Sequence, residues 1–308
     1  MTRTMATVVA TLLTFFALQT SIRLDALAQQ PKELRVASEQ TVSGFPFPES
    51  VGCDAQAQVL YVSQFVSALK PAEKDGKGRI SKVSLTGKIM EEQFLPASGE
   101  VLNKPKGIWV EGGRLWVTDI DVVWVFDVKT RKGRKVELTG AKFANDPAVM
   151  NNVLYVSDNR GDEVFRVEPA DFLDTKIDPK VTRVASGKSV NPNGLYPGRD
   201  GSLLMVGFMS AEQDRGIYAL TAGGEVKPLS KDLGRLDGVY QMSDGTLLVT
   251  DWKSGSLLRW SPTGEVQTLA RDFKGPADFC VVPEGGGRFL VVVPDLVKSE
   301  LRLIHLAP

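Results

Sequence analysis

The stretch from Arg235 to Trp252 reads RLDGVYQMSDGTLLVTDW and contains two Asp-Gly pairs in different settings. Asp244-Gly245 lies between two short apolar runs, which predicts a two-residue hairpin turn that uses the tolerance of glycine for positive φ. Asp237-Gly238 precedes the first of these runs, where no hairpin is needed. Because the same setting recurs along the chain with other carboxylate or amide residues in place of Asp237, the stretch indicates one unit of a repeat.

Six segments open with a cluster rich in Pro, Gly, Asp or Asn and reach a strongly hydrophobic strand about a dozen residues later. The strands are LYVSQF (60–65), LWVTDI (115–120), LYVSDN (154–159), LLMVGF (203–208), LLVTDW (247–252) and LVVVPD (290–295). Their openings are FPES (47–50), KPKG (104–107), ANDP (144–147), NPNG (191–194), RLDG (235–238) and GPAD (275–278). Third strands follow in most units. Successive openings lie 48 residues apart from Asn145 to Asn193, 44 from there to Asp237 and 41 from there to Asp278.

A period of about 40 to 50 residues with several antiparallel strands per unit is typical of a β-propeller. The sequence therefore predicts an all-β protein, a six-bladed β-propeller. The last unit is one strand short, while KELRVAS (32–38) forms a stray strand before the first unit. We expect this N-terminal strand to complete the final blade and close the ring, which removes exposed sheet edges. Two polar insertions, Val66 to Lys77 and Met209 to Arg215, are loops that either rim a site or lie on the surface.

The N-terminus has the pattern of a signal peptide: Arg3, an apolar run from Met5 to Leu18, and Ala26-Leu27-Ala28. We expect cleavage of residues 1–28, a propeller domain at 29–308, a periplasmic or secreted location, and no stable membrane insertion after cleavage. An uncleaved anchor is the alternative. With 37 basic and 37 acidic side chains, the chain shows no charge excess for nucleic acid, which favours a small-molecule or protein partner.

Cysteine usage is sparse, since Cys53 and Cys280 are the only two cysteines of the chain. Both fall in apolar runs, and two separate buried thiols are the favoured interpretation. A disulfide is the alternative, because bridging depends on a Cα separation that a sequence does not contain.

The blade openings place polar side chains in a ring, because equivalent positions of a propeller surround one channel. These residues are Glu49, Lys106, Asn145 with Asp146, Asn193, Asp237 and Asp278. Carboxylates that converge in a poorly solvated channel either rise in pKa or bind a cation. Mixed carboxylate and amide oxygens suit Ca²⁺ best, with Zn²⁺, Mn²⁺ or Mg²⁺ as alternatives. His305 is the only histidine, which excludes a His-rich zinc or iron site.

Each of these residues also has a purely structural interpretation. Asn193-Gly194 and Asp237-Gly238 are turn-forming pairs, and Glu49 alone is a typical solvated loop charge. Their matched positions in different blades favour a shared site over these separate interpretations. The five tryptophans fall in strand segments, and we interpret them as blade core rather than as a ligand cage.

The openings resemble motifs of the regucalcin and gluconolactonase family of six-bladed propellers. FPES before VLYVSQF is similar to the family's segment with a metal-binding Glu, and FANDP to its Asn-Asp segment. NPNGL and LDGVYQMSDGTLLVTDW are similar to its Asn-Gly-Leu and Asp-Gly segments. The resemblance spans nearly all of residues 45–308, with the four motifs in the family's order.

The resemblance implies a divalent-metal-dependent hydrolase of lactones or related esters. Glu49, Asn193 and Asp237 would be the metal ligands, Asp237 also the general base, and Asn145 the residue that orients substrate or metal-bound water. Asn145, Lys106 and Phe143 are the expected substrate-binding residues. Phe143 stands where the family's lactonases commonly have an arginine, which suggests a less anionic substrate. The alternative is a non-catalytic secreted propeller that binds a small ligand or protein partner and keeps a structural metal in its channel.

A serine-hydrolase mechanism has little support in the sequence. No G-x-S-x-G motif occurs, and His305 near the C-terminus is a poor candidate for the base of a nucleophilic serine. The same scarcity of histidine argues against a paraoxonase-type mechanism.

Overall fold

The computed structural model describes residues 33–186, 189–209 and 213–308. In these ranges the protein contains 24 strands and no helix, so no helix there is long and apolar enough to cross a membrane. The predicted signal peptide, residues 1–28, lies outside the described residues. The strands form six four-stranded antiparallel sheets in sequence order, which confirms the six-bladed β-propeller.

Each of the first five blades is a meander of four consecutive strands, numbered from the channel outward. Blade 1 comprises β2 (Pro48–Asp54), β3 (Val59–Gln64), β4 (Arg79–Ser84) and β5 (Ile89–Leu95). Blade 2 comprises β6 (Pro105–Glu111), β7 (Arg114–Asp119), β8 (Val122–Asp127) and β9 (Gly133–Glu137). Blade 3 comprises β10 (Ala144–Met150), β11 (Val153–Asp158), β12 (Glu163–Glu168) and β13 (Lys180–Ser186). Blade 4 comprises β14 (Pro192–Pro197), β15 (Leu203–Gly207), β16 (Ile217–Leu220) and β17 (Val226–Pro228). Blade 5 comprises β18 (Leu236–Gln241), β19 (Leu247–Asp251), β20 (Ser256–Trp260) and β21 (Val266–Ala270).

Blade 6 combines the two ends of the chain. It contains β22 (Cys280–Gly285), β23 (Arg288–Asp295) and β24 (Glu300–Ala307), and β1 (Arg35–Ser43) pairs antiparallel with β24 as its outermost strand. Closure by an N-terminal strand is therefore confirmed, although the strand continues well beyond residue 38. Almost all of β1 is exposed, so its second half lacks the hydrophobic run that would have marked a strand in the sequence.

A disulfide joins the two inner strands at the same closing point. Cys53 on β2 and Cys280 on β22 are bonded, with their Cα atoms 5.8 Å apart. The favoured interpretation of two separate buried thiols is thus wrong. The cysteines are 227 residues apart in sequence, and they meet because ring closure makes blades 1 and 6 neighbours.

The hydrophobic core lies between neighbouring blades. Six clusters of buried side chains each combine residues from two adjacent blades, which follows from sheets that pack face to face around an axis. Trp116, Trp124 and Trp260 are buried in these clusters, which confirms the core interpretation for them. Trp109 and Trp252 are only partly buried, and each packs against the edge of a core cluster.

The turn at Asp244-Gly245 is longer than the predicted two residues. Met242 and Thr246 pair through the Met242 N–H and the Thr246 carbonyl, which leaves a three-residue loop. Gly245 has φ of +84°, so the expected need for glycine is confirmed. The Asp244 carboxylate accepts hydrogen bonds from the backbone N–H and the hydroxyl of Thr246, and this bonding stabilises the loop.

The first insertion, Val66 to Lys77, is anchored by the buried ammonium group of Lys104. The side chain of Lys104 is fully buried, and its Nζ donates hydrogen bonds to the Phe65 carbonyl, the Ser67 hydroxyl and the Asp75 carboxylate. Burial opposes ionisation of Asp75, but the hydrogen bonds from Lys104 and Ser67 prevail and lower its pKa to about 2. The insertion is therefore held against blade 2. The second insertion includes residues 210–212, which lie outside the described residues.

Candidate functional site: the ring of blade openings

A β-bulge recurs at the start of each of the first five inner strands. Pro48, for example, pairs with Gln64, and after one extra residue the pairing resumes at Ser50 with Ser63. The same shift occurs in β6, β10, β14 and β18. A bulge bends the strand and redirects its side chains. The residue after the first pair is equivalent in every blade, and we call these the ring positions: Glu49, Lys106, Asn145, Asn193 and Asp237.

The sixth blade departs from the expected ring. Pro276 pairs with Asp295 as Pro48 pairs with Gln64, so the ring position of blade 6 is the buried Ala277. Asp278 follows it and is equivalent to Asp146 of blade 3, one position further along the inner strand. The grouping of Asp278 with Asp237 is thus wrong by one residue, because a bulge places two neighbouring residues opposite one partner and spacing alone does not separate them.

Glycine follows the ring position in three blades, and the reason is packing. Gly194 and Gly238 lie within inner strands, and neither has a positive φ. A Cβ atom on Gly194 would lie 2.2 Å from the Asp237 carbonyl oxygen, and one on Gly238 would lie 2.7 Å from Cδ1 of Phe279. These glycines allow neighbouring inner strands to approach closely. The structural interpretation of the two pairs as turns is therefore wrong.

Three ring residues are deeply buried, and two of them have an oxygen without a hydrogen-bond partner. Glu49, Asn193 and Asp237 are 6%, 3% and 7% exposed. Glu49 Oε2 and Asn193 Oδ1 have no hydrogen-bond partner although both atoms are buried. A buried oxygen without a partner is costly, so two such atoms at matched positions indicate a site that is completed by a ligand.

The charges of the ring are strongly coupled. Burial and the neighbouring Asp237 raise the pKa of Glu49 well above its ordinary value, and Lys106 acts in the opposite direction. Burial and Asp278 raise the pKa of Asp237 to about 8, against hydrogen bonding from Trp252 and Asn193. Burial lowers the pKa of Lys106 to about 8. The ring carboxyls therefore favour their neutral forms in the cation-free protein, and a bound cation would favour their ionised forms.

Trp252 positions Asp237. Its indole Nε1–H donates a hydrogen bond of 2.8 Å to Oδ2 of Asp237, across the hairpin formed by β18 and β19. This hydrogen bond holds Oδ2 of Asp237 in place, whereas it does not involve Oδ1. The sequence assigned Trp252 to the core, and its only signal was its place directly after the strand that pairs with Asp237.

Hydroxyls of the second strands hold the ring backbone in place. The Ser157 hydroxyl accepts the Asp146 N–H at 2.9 Å and donates to the Asn193 carbonyl of the next blade at 2.6 Å. Thr250 likewise accepts the Gly238 N–H at 2.8 Å and donates to the Ala277 carbonyl at 3.0 Å. The Thr118 hydroxyl donates to the Asn145 carbonyl. Each of these hydroxyls therefore links the bulge of one blade to its neighbour.

Two cations approach Phe143. Lys106 Nζ lies 4.4 Å from the centroid of its ring, and the guanidinium carbon of Arg160 lies 4.2 Å from it. Arg160 is exposed, whereas Lys106 is fully buried. The expectation of a less anionic substrate rested on the loss of an arginine at position 143. Because Lys106 and Arg160 supply positive charge beside this phenylalanine, its surroundings do not support that expectation.

The chain's histidine, another residue type that commonly binds metals, lies outside the ring. Within the described ranges no three His, Cys, Asp or Glu side chains form a metal-binding group, so any cation site here also requires the Asn193 amide. His305 lies on β24 and pairs at 3.0 Å with Glu284 of β22, and neither residue is at a ring position. The structure thus places the predicted residues Glu49, Lys106, Asn145, Asn193 and Asp237 at one level of the channel, with Phe143 beside Lys106.

Solved structures similar to this chain include a gluconolactonase and two lyases. A gluconolactonase from Xanthomonas campestris aligns with a TM-score of 0.64 at 16% identity and covers 89% of this chain and 91% of that chain. A virginiamycin B lyase from Staphylococcus aureus aligns with a TM-score of 0.60 at 15% identity, covering 90% and 100%. A streptogramin B lyase aligns with a TM-score of 0.57 at 15% identity, covering 88% and 97%.

These similarities establish the fold. The chain has a gluconolactonase-like propeller, as the resemblance of its blade openings predicts. No protein-family model matches the chain. The search of curated proteins gives no match either. At identities of 15–16% the shared fold does not carry an activity from these structures to this chain, so the chemistry has to be argued from the ring itself.

Proposed function

We propose that the protein is a divalent-cation-dependent hydrolase that opens lactones or related esters at the ring positions. The observation that supports this most is the pair of buried oxygens without a partner, Glu49 Oε2 and Asn193 Oδ1, at the level of Asp237. Hard oxygen donors of mixed carboxylate and amide type suit Ca²⁺, and these residues fit such an ion. The cation would polarise the carbonyl of the substrate and favour deprotonation of the attacking water.

Asp237 is the general base of this proposal. Its raised pKa of about 8 in the cation-free protein shows that its carboxylate is poorly solvated, and a bound cation would favour the ionised form that accepts a proton. The Trp252 indole holds one carboxylate oxygen by a hydrogen bond, so the proton of the attacking water goes to the other oxygen. Asn145 would orient the substrate or the water from blade 3, two blades away from Asp237, and no redox cofactor is needed.

In this proposal, Lys106 and Arg160 determine which substrate charge is preferred. Both lie against Phe143 next to the ring position of blade 3. A lactone whose ring or hydroxyl groups place electron-rich oxygens beside these cations would be favoured over one with a cationic substituent. A lyase of the virginiamycin type is a weaker candidate, because a histidine variant of that enzyme is catalytically inactive and the only histidine here lies on β24.

Export is a further part of the proposal. Disulfides persist in oxidising compartments, and the Cys53–Cys280 bond supports the signal peptide predicted at residues 1–28. A periplasmic or secreted location follows from it.

The test is hydrolysis of a lactone panel by chelator-treated protein after addition of Ca²⁺, Mn²⁺ or Zn²⁺. We expect cation-dependent hydrolysis that Asp237→Asn reduces by about 10²-fold or more, as for loss of a general base. Asp244→Asn in the neighbouring Asp-Gly pair is the matched control and should retain activity. If wild type and Asp237→Asn are equally inactive while a cation still raises the melting temperature, the ring is a structural metal site and the proposal is wrong.

A further inference from the structure

The channel contains a second polar feature beyond the ring. A cavity of about 170 Å³ is lined by residues that follow the ring positions along all six inner strands. Glu49, Asn193 and Asp237 are not among its lining residues, so the cavity is distinct from the proposed hydrolytic site. It begins at the level of Asp146 and Asp278 and extends toward the ends of the inner strands.

Aromatic rings form much of its wall. The centroids of Trp109 and Tyr196 are 6.0 Å apart, and those of Tyr196 and Tyr240 are 4.9 Å apart. Phe279 also lines the cavity. Trp109, Tyr196 and Tyr240 are each partly exposed, so the cavity is accessible from solvent at this end. The rings are tilted against one another, with interplanar angles of 60° and 55°, and together they make this wall of the cavity aromatic.

Two carboxylates complete the cavity. Asp146 Oδ2 accepts the Leu195 N–H at 2.7 Å, and Asp278 Oδ2 accepts the Ser50 hydroxyl at 2.5 Å. The charged groups that act on Asp146 are themselves carboxylates, on Asp278, Glu49 and Asp237. Burial is the main cause that raises the pKa of Asp278 to about 7. Burial likewise raises the pKa of Asp146 above its ordinary value, and no basic side chain among these neighbours opposes it, so both carboxyls ionise more readily when a cation enters the cavity.

We propose that this cavity binds a small organic cation, with an ammonium or quaternary ammonium group between the carboxylates of Asp146 and Asp278 and the faces of Trp109, Tyr196 and Tyr240. Aromatic faces attract quaternary ammonium groups, and the attraction grows when the cation is desolvated. The volume suits the ligand, since an engineered apolar cavity of about 150 Å³ accommodates benzene.

A bare metal ion fits this cavity less well than an organic cation. Ca²⁺ takes about 6–8 oxygen ligands, whereas each carboxylate here already has one oxygen engaged in a hydrogen bond and the surrounding wall is aromatic and aliphatic. An organic cation needs only the charge of the carboxylates and the ring faces. The ligand class is therefore a small amine rather than an inorganic ion.

The test is isothermal titration of the full chain with choline in the presence of a chelator, compared with 3,3-dimethyl-1-butanol, its uncharged isostere. We expect choline to bind at least tenfold more tightly than the isostere. Asp278→Asn should weaken choline binding at least tenfold and leave the isostere unchanged, whereas Trp109→Leu should weaken both. Asn193→Ala, in the ring, is the matched control and should retain choline binding.

Several results would overturn this assignment. Equal affinity for choline and the isostere would make the cavity an apolar pocket, and displacement of choline by CaCl₂ alone with the same dependence on Asp278 would make it a metal site. Absence of binding by both probes to the folded wild type also contradicts the proposal. If Asp278→Asn fails to fold, the effect of Trp109→Leu decides the outcome. Because no lactone is present, the result is separate from that of the hydrolysis assay.

Discussion

The two ends of the channel are built on the same six inner strands but differ in chemistry. At the ring positions, polar side chains point from the bulges, and Glu49 and Asn193 each have a buried oxygen without a partner. A few residues further along the same strands, the walls are aromatic and a disulfide joins β2 to β22. The ring end gathers buried ionisable side chains, whereas the aromatic end encloses a cavity of about 170 Å³ and is covalently closed.

This difference explains how the propeller tolerates a site that destabilises its folded state. Buried carboxylates that repel one another destabilise the folded state unless a cation offsets them. The hydrophobic clusters between blades and the closure of blade 6 supply the compensating stability away from the ring. Removing the disulfide should therefore affect folding first, whereas altering the ring should affect metal-cation binding first.

The largest effect is expected from the disulfide. Replacing both cysteines by serine releases a crosslink across 227 residues of sequence and should lower the free energy of unfolding by about 2–5 kcal/mol. Thermal unfolding of the Cys53→Ser/Cys280→Ser variant, with and without a reductant, measures it. The wild type should lose stability on reduction and the variant should not. An equal response of both proteins would show that closure through β1 is sufficient by itself.

A cation at the ring should have the next largest effect. In chelator-treated protein, Ca²⁺ at about 100 times its dissociation constant should stabilise the fold by about 2.7 kcal/mol. Glu49→Gln should abolish the shift, because it removes a charged ligand, and Trp109→Leu at the aromatic end should preserve it. Scanning calorimetry over a range of Ca²⁺ concentrations measures both. A wild-type melting temperature that is independent of Ca²⁺ would argue against Ca²⁺ binding at the ring.

The two Asp-Gly pairs provide a finer comparison. Gly238→Ala would place a Cβ 2.7 Å from Phe279 and 2.8 Å from Asp278 Oδ1, at a cost of about 1–3 kcal/mol from overpacking. Gly245→Ala meets no atom within 4 Å but strains a backbone with φ of +84°, at a cost of about 1 kcal/mol.

Asparagine distinguishes the two causes, because it adopts positive φ more readily than alanine but is larger. Gly245→Asn should therefore be milder than Gly245→Ala, whereas Gly238→Asn should be worse than Gly238→Ala. Urea unfolding of the four variants gives the ranking. The same ranking at both positions would contradict the packing role of Gly238.

The smallest effect is expected in the pH dependence of stability. Asp278 titrates at about 7 in the folded protein and near 3.8 when unfolded, so the folded state holds more protons between these values. By linkage, its contribution makes the cation-free protein less stable as pH rises from about 4 to about 7. Asp278→Asn should reduce this loss of stability by on the order of 1 kcal/mol. Part of the loss should remain, because Asp146 and Asp237 still repel each other. Chemical unfolding of both proteins at pH 4, 5.5 and 7 with a chelator measures this loss. If the free energy of unfolding of Asp278→Asn falls with pH as steeply as that of the wild type, the prediction is wrong.

Most of the fold was predictable from the sequence because each blade repeats an opening and a hydrophobic second strand at a regular spacing. The short final unit and the stray N-terminal strand predicted the closure correctly. The extent of β1 was not predictable, since an exposed outer strand needs no hydrophobic run. The disulfide was not predictable either, because it depends on the distance between two strands at opposite ends of the chain.

The matched positions of the ring residues were predictable from the sequence, and their register was less so. Glu49, Lys106, Asn145, Asn193 and Asp237 are at matched positions because their motifs each precede an inner strand. Asp278 was assigned to the ring position of blade 6, although it lies one residue beyond it. The error arises because two neighbouring residues at a bulge lie opposite one partner. The roles of Trp252 and Arg160 depend on contacts across a hairpin and around a loop, which no local pattern records.

The hydroxyls that link neighbouring bulges have a consequence for the adaptability of this protein. Ser157, Thr250 and Thr118 bind backbone carbonyl groups of Asn193, Ala277 and Asn145, so they hold the main chain regardless of which side chain stands there. The ring side chains of Asn145 and Asn193 can then be exchanged while the bulges that present them stay in place. A library that randomises Asn145 should accordingly yield mostly folded proteins, whereas larger side chains at the fully buried Ala277 would overpack it against Phe65 and Leu296.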